Sequence, residues 1–190
     1  MVRRNPGQVF TPFDFLDLGS PHSVGMVLTR MMRSGNVRRL ARGLYDVPRT
    51  DAVLGALLPT AEELARALAR RNGATVHPAG GMAANLLGLS DQVQARAIYL
   101  TDGPSRAVKV GALTVQLKKR PPREGSTVSP MSSVVFAALR NLGKLHVNKP
   151  RVERLTRVLS LKDRRRLLKD LPLAPAWMHP YLRFIARELG

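Results

Sequence analysis

The sequence has no cysteine, few aromatic residues and no long apolar run. The absence of cysteine excludes disulfides, thiolate metal sites and a cysteine nucleophile. One Trp, three Tyr and five Phe leave little aromatic surface on which single-stranded bases could stack. No stretch approaches the roughly eighteen apolar residues of a membrane span, and no signal-peptide run follows the basic start. We therefore expect a cytoplasmic protein that does not act at a membrane.

Acidic residues are also scarce, so the chain carries a large positive charge. It has 31 Lys and Arg against 13 Asp and Glu, a net charge of +18. Residues 1–50 carry +5, residues 51–125 carry +4 and residues 126–190 carry +9. Such an excess repels itself unless a polyanion or an acidic partner neutralises it. An anionic membrane surface would bind a long basic amphipathic helix with aromatic anchors, and the sequence shows no such helix. Nucleic acid is therefore the favoured class of partner.

Two helix starts follow each other closely near the N-terminus. Thr11 can cap a helix that has Pro12 in its first turn, and Gly19 ends this helix after residue 18. Ser20 and Pro21 repeat the start signal, and the second helix is predicted to run to about residue 34. Two helices joined by a short turn that contains glycine are typical of a helix-turn-helix.

The hydrophobic period changes after the second helix. Val37–Ala41 and Leu44–Val47 are strand-like segments on either side of Arg42 and Gly43. Gly43 can supply the positive φ that a tight hairpin requires. Together with the two helices, this hairpin predicts a winged helix-turn-helix.

The predicted fold class is α+β. A winged helix-turn-helix domain (1–50) precedes a mixed α/β domain (51–148) and a basic helical C-terminal segment (149–190). In the second domain, Thr60 and Glu63 form a capping box, and later segments predict a helix over 80–87 and a meander of strands over 95–101, 107–110 and 113–117. Further helices are predicted at about 131–142, 150–160, 161–170 and 176–188, and Leu139, Leu142 and Leu145 suggest one buried face.

The second helix has two different faces. Val24, Val27, Leu28 and Met31 form an apolar stripe at helical spacing. The opposite stripe combines hydrogen-bonding groups with two guanidinium groups, which can pair with base edges in the major groove. From this helix, the predicted DNA-binding residues are Ser20, His22, Ser23, Met26, Thr29, Arg30 and Arg33. An ordinary solvated surface helix is the alternative.

Three further arginines lie in the predicted hairpin. Arg38, Arg39 and Arg42 are expected at or near its tip, where a wing meets phosphates or enters the minor groove. An ion pair with Asp14, Asp17 or Asp46 could occupy one of the three, and we expect this for at most one.

The sequence contains no constellation of residues typical of an active site. The four histidines (His22, His77, His146 and His179) show no metal-binding spacing, and no paired carboxylates lie near them. We therefore predict a protein that is not an enzyme, with no catalytic residues, no metal site and no cofactor.

The sequence resembles the AbiEi-type antitoxins of bacterial type IV toxin–antitoxin systems and their winged-helix relatives, over about its first 145 residues. The most specific segment is the arginine-rich hairpin that ends in Gly43-Leu44-Tyr45 and Pro48. The next most specific segment is Asn85-Leu86-Leu87-Gly88-Leu89-Ser90. The resembling segments are Val9–Ser20, Val24, Leu28–Met31, Gly35–Tyr45, Pro48, Gly80–Val93 and Ile98–Gly103.

The resemblance implies a two-part protein. Its winged helix would bind repeats in the promoter of its own operon and repress it, and its C-terminal domain would antagonise a nucleotidyltransferase-like toxin without catalysis. Double-stranded DNA is then the main partner; the oligomeric state and the operator stay open. The alternatives are a stand-alone winged-helix regulator of a mobile element or phage and, from another class, an RNA-binding accessory protein.

Overall fold

The computed structural model describes residues 5–92, 94–120 and 128–187, and combines helices with small β-sheets. The α+β class predicted from the sequence is confirmed. The helices are α1 (Pro21–Arg33), α2 (Ala61–Arg70), α3 (Gly80–Leu86), α4 (Pro130–Leu142), α5 (Lys149–Val158), α6 (Leu161–Asp170) and α7 (His179–Ala186). The strands are β1 (Val9–Phe10), β2 (Arg38–Ala41), β3 (Leu44–Asp46), β4 (Arg49–Asp51), β5 (Gly55–Leu57), β6 (Val76–Ala79), β7 (Arg96–Thr101), β8 (Arg106–Val110) and β9 (Leu113–Lys119).

The predicted start signals both occur, but the first element is shorter than expected. The segment Pro12–Phe15 is a 3₁₀ turn rather than a helix over 12–18. The short stretch before Gly19 offers too few α-helical hydrogen bonds to offset the cost of nucleating a helix. Helix α1 begins as predicted, with the Ser23 amide donating to Ser20 Oγ at 3.2 Å, and ends at Arg33.

The predicted hairpin forms, and a third strand that the sequence did not reveal joins it in a small sheet. Strands β2 and β3 pair across the turn at Arg42 and Gly43, and Gly43 has a φ of +71°. Strand β1 pairs with the other edge of β3, so the sheet order is β1-β3-β2. The buried face of α1 packs on this unit through Val24 and Leu28, which share a core with Phe10 and Val37.

A second hairpin, β4–β5, follows the first one directly. The Asp51 carboxylate shapes its turn by accepting hydrogen bonds from the amides of Val53 and Leu54, at 2.8 and 2.9 Å. Arg38 Nη2 donates to the Leu57 carbonyl at 2.7 Å and so connects this hairpin to β2. The sequence pattern predicted no structure for this segment.

The four-stranded sheet has the order β6-β7-β9-β8, so the predicted meander is wrong. The hairpin β8–β9 forms, but β9 lies between β7 and β8 and runs parallel to β7. Burial explains the order, because Val115 and Leu117 make β9 suited to the middle of the sheet. Strand β8 exposes Ala107 and Lys109 and takes the edge, where a charged residue opposes pairing with other chains.

Two larger hydrophobic clusters hold the rest of the fold. One joins Leu64 and Leu68 of α2 to Val115 of β9, and it also contains Val9 and Leu44 from the N-terminal sheet. The other extends from Ala79 to Ile185 and joins α3 to the helices beyond residue 128. The sequence pattern predicted that Leu145 would be buried with Leu139 and Leu142, but Leu145 does not join this core. Gly143, with a φ of +78°, ends α4, and Leu145 in the following 3₁₀ turn is 93% exposed.

The predicted C-terminal helices occur close to their expected limits. The last begins with a 3₁₀ turn at Ala176–Met178 before α7, and Glu188, where it was predicted to end, lies outside the described residues. Among the helices of the described ranges, none has both the length and the apolar character needed to cross a bilayer.

Candidate nucleic-acid interface

The outward face of α1 carries the residues that the sequence pattern selected from this helix. His22, Met26, Thr29 and Arg33 follow one another at spacings of three or four residues, so they form one stripe along the helix. Ser23 and Arg30 flank this stripe, and Ser20 lies at its N-terminal end. All seven of these residues are exposed. The structure therefore brings the predicted contact residues of α1 together on one surface.

Several hydroxyl groups on this face already have partners within the helix. Ser20 Oγ and Ser23 Oγ lie 3.0 Å apart, and Thr29 Oγ1 donates to the Gly25 carbonyl at 2.9 Å. Each hydroxyl oxygen keeps acceptor capacity, because a hydroxyl has two lone pairs as well as its proton. These side chains are thus held in place while they still present acceptors to a ligand.

Arg30 and Arg33 are the strongest donors of the face. Neither forms an ion pair with another residue in the described part of the chain. Both lie in the last turn of α1, where the helix dipole favours cations. Their guanidinium groups are free to approach a polyanion at the C-terminal end of the stripe.

The hairpin arginines occupy three different positions, which corrects the expectation that all three lie at or near its tip. Arg42 is at the turn and exposed, and Arg39 is exposed in β2 opposite Tyr45. Arg38 lies at the far end of β2, opposite Asp46, and forms an ion pair with it. This pairing agrees with the expectation that at most one of the three would have an acidic partner.

The apolar side of α1 is only partly covered. Val24 and Leu28 are buried, but Val27, predicted in the same stripe, is 46% exposed. Val27 instead lines an open apolar groove of about 260 Å³ together with Phe15, Leu18 and Met31. The groove therefore lies between α1 and the segment that precedes it.

A group of cations that the sequence pattern did not connect surrounds an open cleft beside the hairpin turn. Arg42, Arg71, Arg106 and Lys109 line this cleft, which has a volume of about 450 Å³ and which we call the basic cleft. Arg71 follows α2, whereas Arg106 and Lys109 belong to the edge strand β8. The sequence predicted a strand at the position of β8, but only the fold shows that this strand lies next to the hairpin.

A polar cluster near the start of β6 has a structural explanation. Asp102 accepts hydrogen bonds from the amide and the hydroxyl of Thr75, at 2.7 and 2.8 Å, and these bonds lower the pKa of its carboxyl group. Burial is the largest influence on His77 and lowers its pKa. Nearby Arg120 lowers this pKa further, whereas Asp102 has the opposite effect. Both oxygens of Asp102 thus fasten the segment before β6 to the turn after β7.

Within the described ranges, no three His, Asp or Glu side chains could together hold a metal ion.

A family described as "Family of unknown function (DUF6088)" matches residues 1–167. The chain belongs to this family. The DUF6088 match includes the N-terminal sheet, α1 and the basic cleft, and α7 follows it. Neither curated proteins nor solved structures gave a match to the chain.

Proposed function

We propose that this DUF6088 protein is a sequence-specific DNA-binding repressor that reads the major groove with α1. The observation that carries the proposal is the division of this helix into two sides. Val24 and Leu28 anchor it to the core, while His22, Met26, Thr29 and Arg33 project from the opposite side. A helix anchored in this way can present a fixed set of side chains to base edges.

The strand arrangement supports a winged helix-turn-helix for the N-terminal unit. Strand β1 comes first, the 3₁₀ turn and α1 follow, and the hairpin β2–β3 returns so that β3 pairs with β1. This order of elements, with the first strand beside the last one, supports the proposed winged helix, in which the 3₁₀ turn would stand in for the first helix. The wing would be the β2–β3 turn, where exposed Arg42 can contact phosphate.

The charge balance favours a polyanionic partner over a neutral one. With a net charge of +18, the protein gains affinity for DNA through release of the counterions condensed on the phosphates. The first fifty residues carry only +5 of this charge. Contacts outside the proposed winged helix are therefore expected to contribute to the total affinity.

We further propose autoregulation and an antitoxin role in the cytoplasm, which rest on the resemblance to the AbiEi-type antitoxins. In this proposal, the part of the chain after the winged helix binds a nucleotidyltransferase-like toxin. The alternative is a regulator without a toxin, and the segment after residue 148, which lies outside the resemblance, favours it. An adjacent reading frame with nucleotidyltransferase motifs would support the antitoxin role, and its absence would support the stand-alone regulator.

Binding of the full chain to the DNA upstream of its own gene tests the repressor proposal. Fluorescence anisotropy would compare this duplex with a shuffled duplex of equal length and composition, and with a structured RNA of equal charge. We expect the upstream duplex to bind at least tenfold more tightly than the shuffled one at the same salt concentration. Tighter binding of the RNA than of either duplex would overturn the proposal and support the RNA-binding alternative.

A further inference from the structure

The basic cleft combines four cations from three separate parts of the fold. Arg42 comes from the hairpin turn, Arg71 from the end of α2, and Arg106 and Lys109 from β8. No carboxylate is among the described residues that line it. Because like charges raise the local positive potential, such a convergence without an acidic residue favours the binding of an anion.

The acidic residue nearest in sequence to the lining of the cleft is Asp14, and its carboxylate already has hydrogen-bond partners. Asp14 follows Phe13, which lines the cleft, but its Oδ1 accepts from Arg70 Nε at 3.2 Å. Its Oδ2 accepts from the amide of Thr11 at 2.7 Å. The carboxylate of Asp14 therefore serves the 3₁₀ turn and α2, and the positive charge of the cleft is left for a ligand.

Two features prepare the cleft for close approach by an anion. The Arg71 guanidinium lies over the Phe13 ring, 4.1 Å from its centroid, and this contact holds the cation while its N–H groups stay available. A Cβ atom added to Gly43 would meet no other atom within 4 Å, so the backbone at the hairpin turn is open. An anion can thus reach the turn without displacing a side chain there.

We propose that the basic cleft binds the phosphodiester backbone of DNA next to the segment read by α1. The inference rests on the proposed function, and Arg42 links the two surfaces because it belongs both to the wing and to the cleft. A backbone fits better than a small anion, since Arg42 and Lys109 are exposed at an open cleft rather than enclosed in a pocket. The cleft would supply part of the sequence-independent affinity that the winged helix lacks.

The test measures how strongly salt weakens DNA binding by the full chain. Each lost phosphate contact should lower the slope of log K against log salt by about 0.9. We expect the double variant Arg106→Ala, Lys109→Ala to reduce the slope by about two units, equally on the upstream and the shuffled duplex. A variant with the same charge loss outside the cleft, Arg157→Ala with Arg183→Ala, should change it by less than half a unit.

Two further variants separate charge from folding. The exchange Arg106→Lys with Lys109→Arg keeps both charges and should preserve the slope of the wild type. The single variant Lys109→Gln changes an exposed side chain and should lower the slope by about one unit. This single variant carries the test if the double variant does not fold, as judged by its unfolding curve.

Three results would overturn the inference. The first is an equal slope change in the cleft variant and in the matched control. The second is a loss confined to the upstream duplex, which would make the cleft a reader of bases. The third is displacement of DNA by inorganic phosphate beyond its effect on ionic strength, which would indicate a small-anion site. If the wild type does not prefer the upstream duplex, the proposed function fails, but the slopes on the shuffled duplex still decide the role of the cleft.

Discussion

Arg38 and Asp46 lie opposite each other in the β2–β3 hairpin and form a two-pronged ion pair. Arg38 Nε donates to Asp46 Oδ1 at 3.1 Å, and Nη2 donates to Oδ2 at 2.6 Å. Asp46 is 1% exposed, and its hydrogen bond raises the pKa of Arg38. Since Arg38 Nη2 also donates to the Leu57 carbonyl, this side chain holds two hairpins together. Its position and contacts differ from those of Arg39 and Arg42, which face solvent.

Removal of the Asp46 carboxylate tests this structural role. We expect Asp46→Ala to lower the free energy of unfolding by about 1.5–3 kcal/mol, because it leaves the half-buried Arg38 guanidinium without its charged acceptor. Urea unfolding measures the change. Asp17→Ala, at an exposed position, is the matched control and should change the free energy by less than about 0.5 kcal/mol. Equal effects of the two substitutions would show that the pair does not stabilise the fold.

Two glycines of the N-terminal unit should respond in opposite ways to substitution by alanine. Gly43 has a φ of +71°, so Gly43→Ala should destabilise the protein by about 1–2 kcal/mol, although a Cβ would meet no atom within 4 Å. Gly25 lies inside α1 and also has open space around it, so Gly25→Ala should stabilise the protein by about 0.5–1 kcal/mol. Thermal unfolding of both variants checks the signs. A stabilising Gly43→Ala would contradict a left-handed backbone conformation at the hairpin turn.

The proposed reading helix can be tested at Arg30 and Arg33. Replacing either by Ala should reduce the free-energy difference between the upstream and the shuffled duplex by about 1–3 kcal/mol, if it makes a two-pronged contact with guanine. Anisotropy titrations at one fixed salt concentration measure this difference. If both variants discriminate as well as the wild type, α1 is not the reader.

Arg42 provides the contrasting case for the helix variants. Replacing it by Ala should weaken binding to both duplexes by the same factor and lower the salt slope by about one unit, since a phosphate contact carries no sequence information. Arg183→Ala, on the exposed side of α7, controls for the loss of one charge. A selective loss of binding to the upstream duplex would assign base reading to the β2–β3 turn as well.

Asp170 should make stability depend on pH in the acid range. Burial is the largest influence on this carboxyl group and opposes its ionisation, but hydrogen bonds from Ser129 and Ser132 and the nearby Arg166 outweigh it and lower its pKa. The unfolded state therefore binds more protons, so this stabilisation is complete above about pH 4 and is lost as the pH falls through the lowered pKa.

The variant Asp170→Asn isolates this contribution. It should lower the free energy of unfolding by about 1–3 kcal/mol at pH 7, because the hydrogen bonds from Ser129 and Ser132 lose their charged acceptor. The gap between wild type and variant should then shrink as the pH falls below about 4. Urea unfolding from pH 7 to pH 3 measures it, with Asp17→Asn as the control. A gap that does not change with pH would refute the assignment.

The sequence revealed the elements whose limits depend on local chemistry. Ser20 and Pro21 start α1, Thr60 and Glu63 start α2, and Gly43 makes the hairpin turn, because each signal acts within a few residues. The insertion of β9 beside β7 could not be predicted in this way, since it depends on which strand best fills the middle of the sheet. Strand β1 has two residues, too few for a periodic pattern.

The candidate site was predictable to the same extent. Helical periodicity alone selected the outward face of α1, and the charge pattern named Asp46 among the possible partners of a hairpin arginine. The strand register was needed to select Arg38 as that partner. The basic cleft was beyond sequence reasoning, because Arg71 and Lys109 lie far apart in the chain and line the same cleft only in the folded protein.

The hydrophobic cluster shared by Val9, Leu44, Leu64 and Val115 has an evolutionary consequence. A segment that recombines freely among proteins must carry its entire interior with it. In this chain the N-terminal sheet contributes two buried apolar side chains to the core of its neighbour, and Leu40 and Ala41 pack against the same cluster. Grafting residues 1–50 onto a foreign scaffold would therefore expose apolar surface on both parts. Substitutions in the N-terminal sheet and in the part of the chain that it packs against should therefore be inherited together.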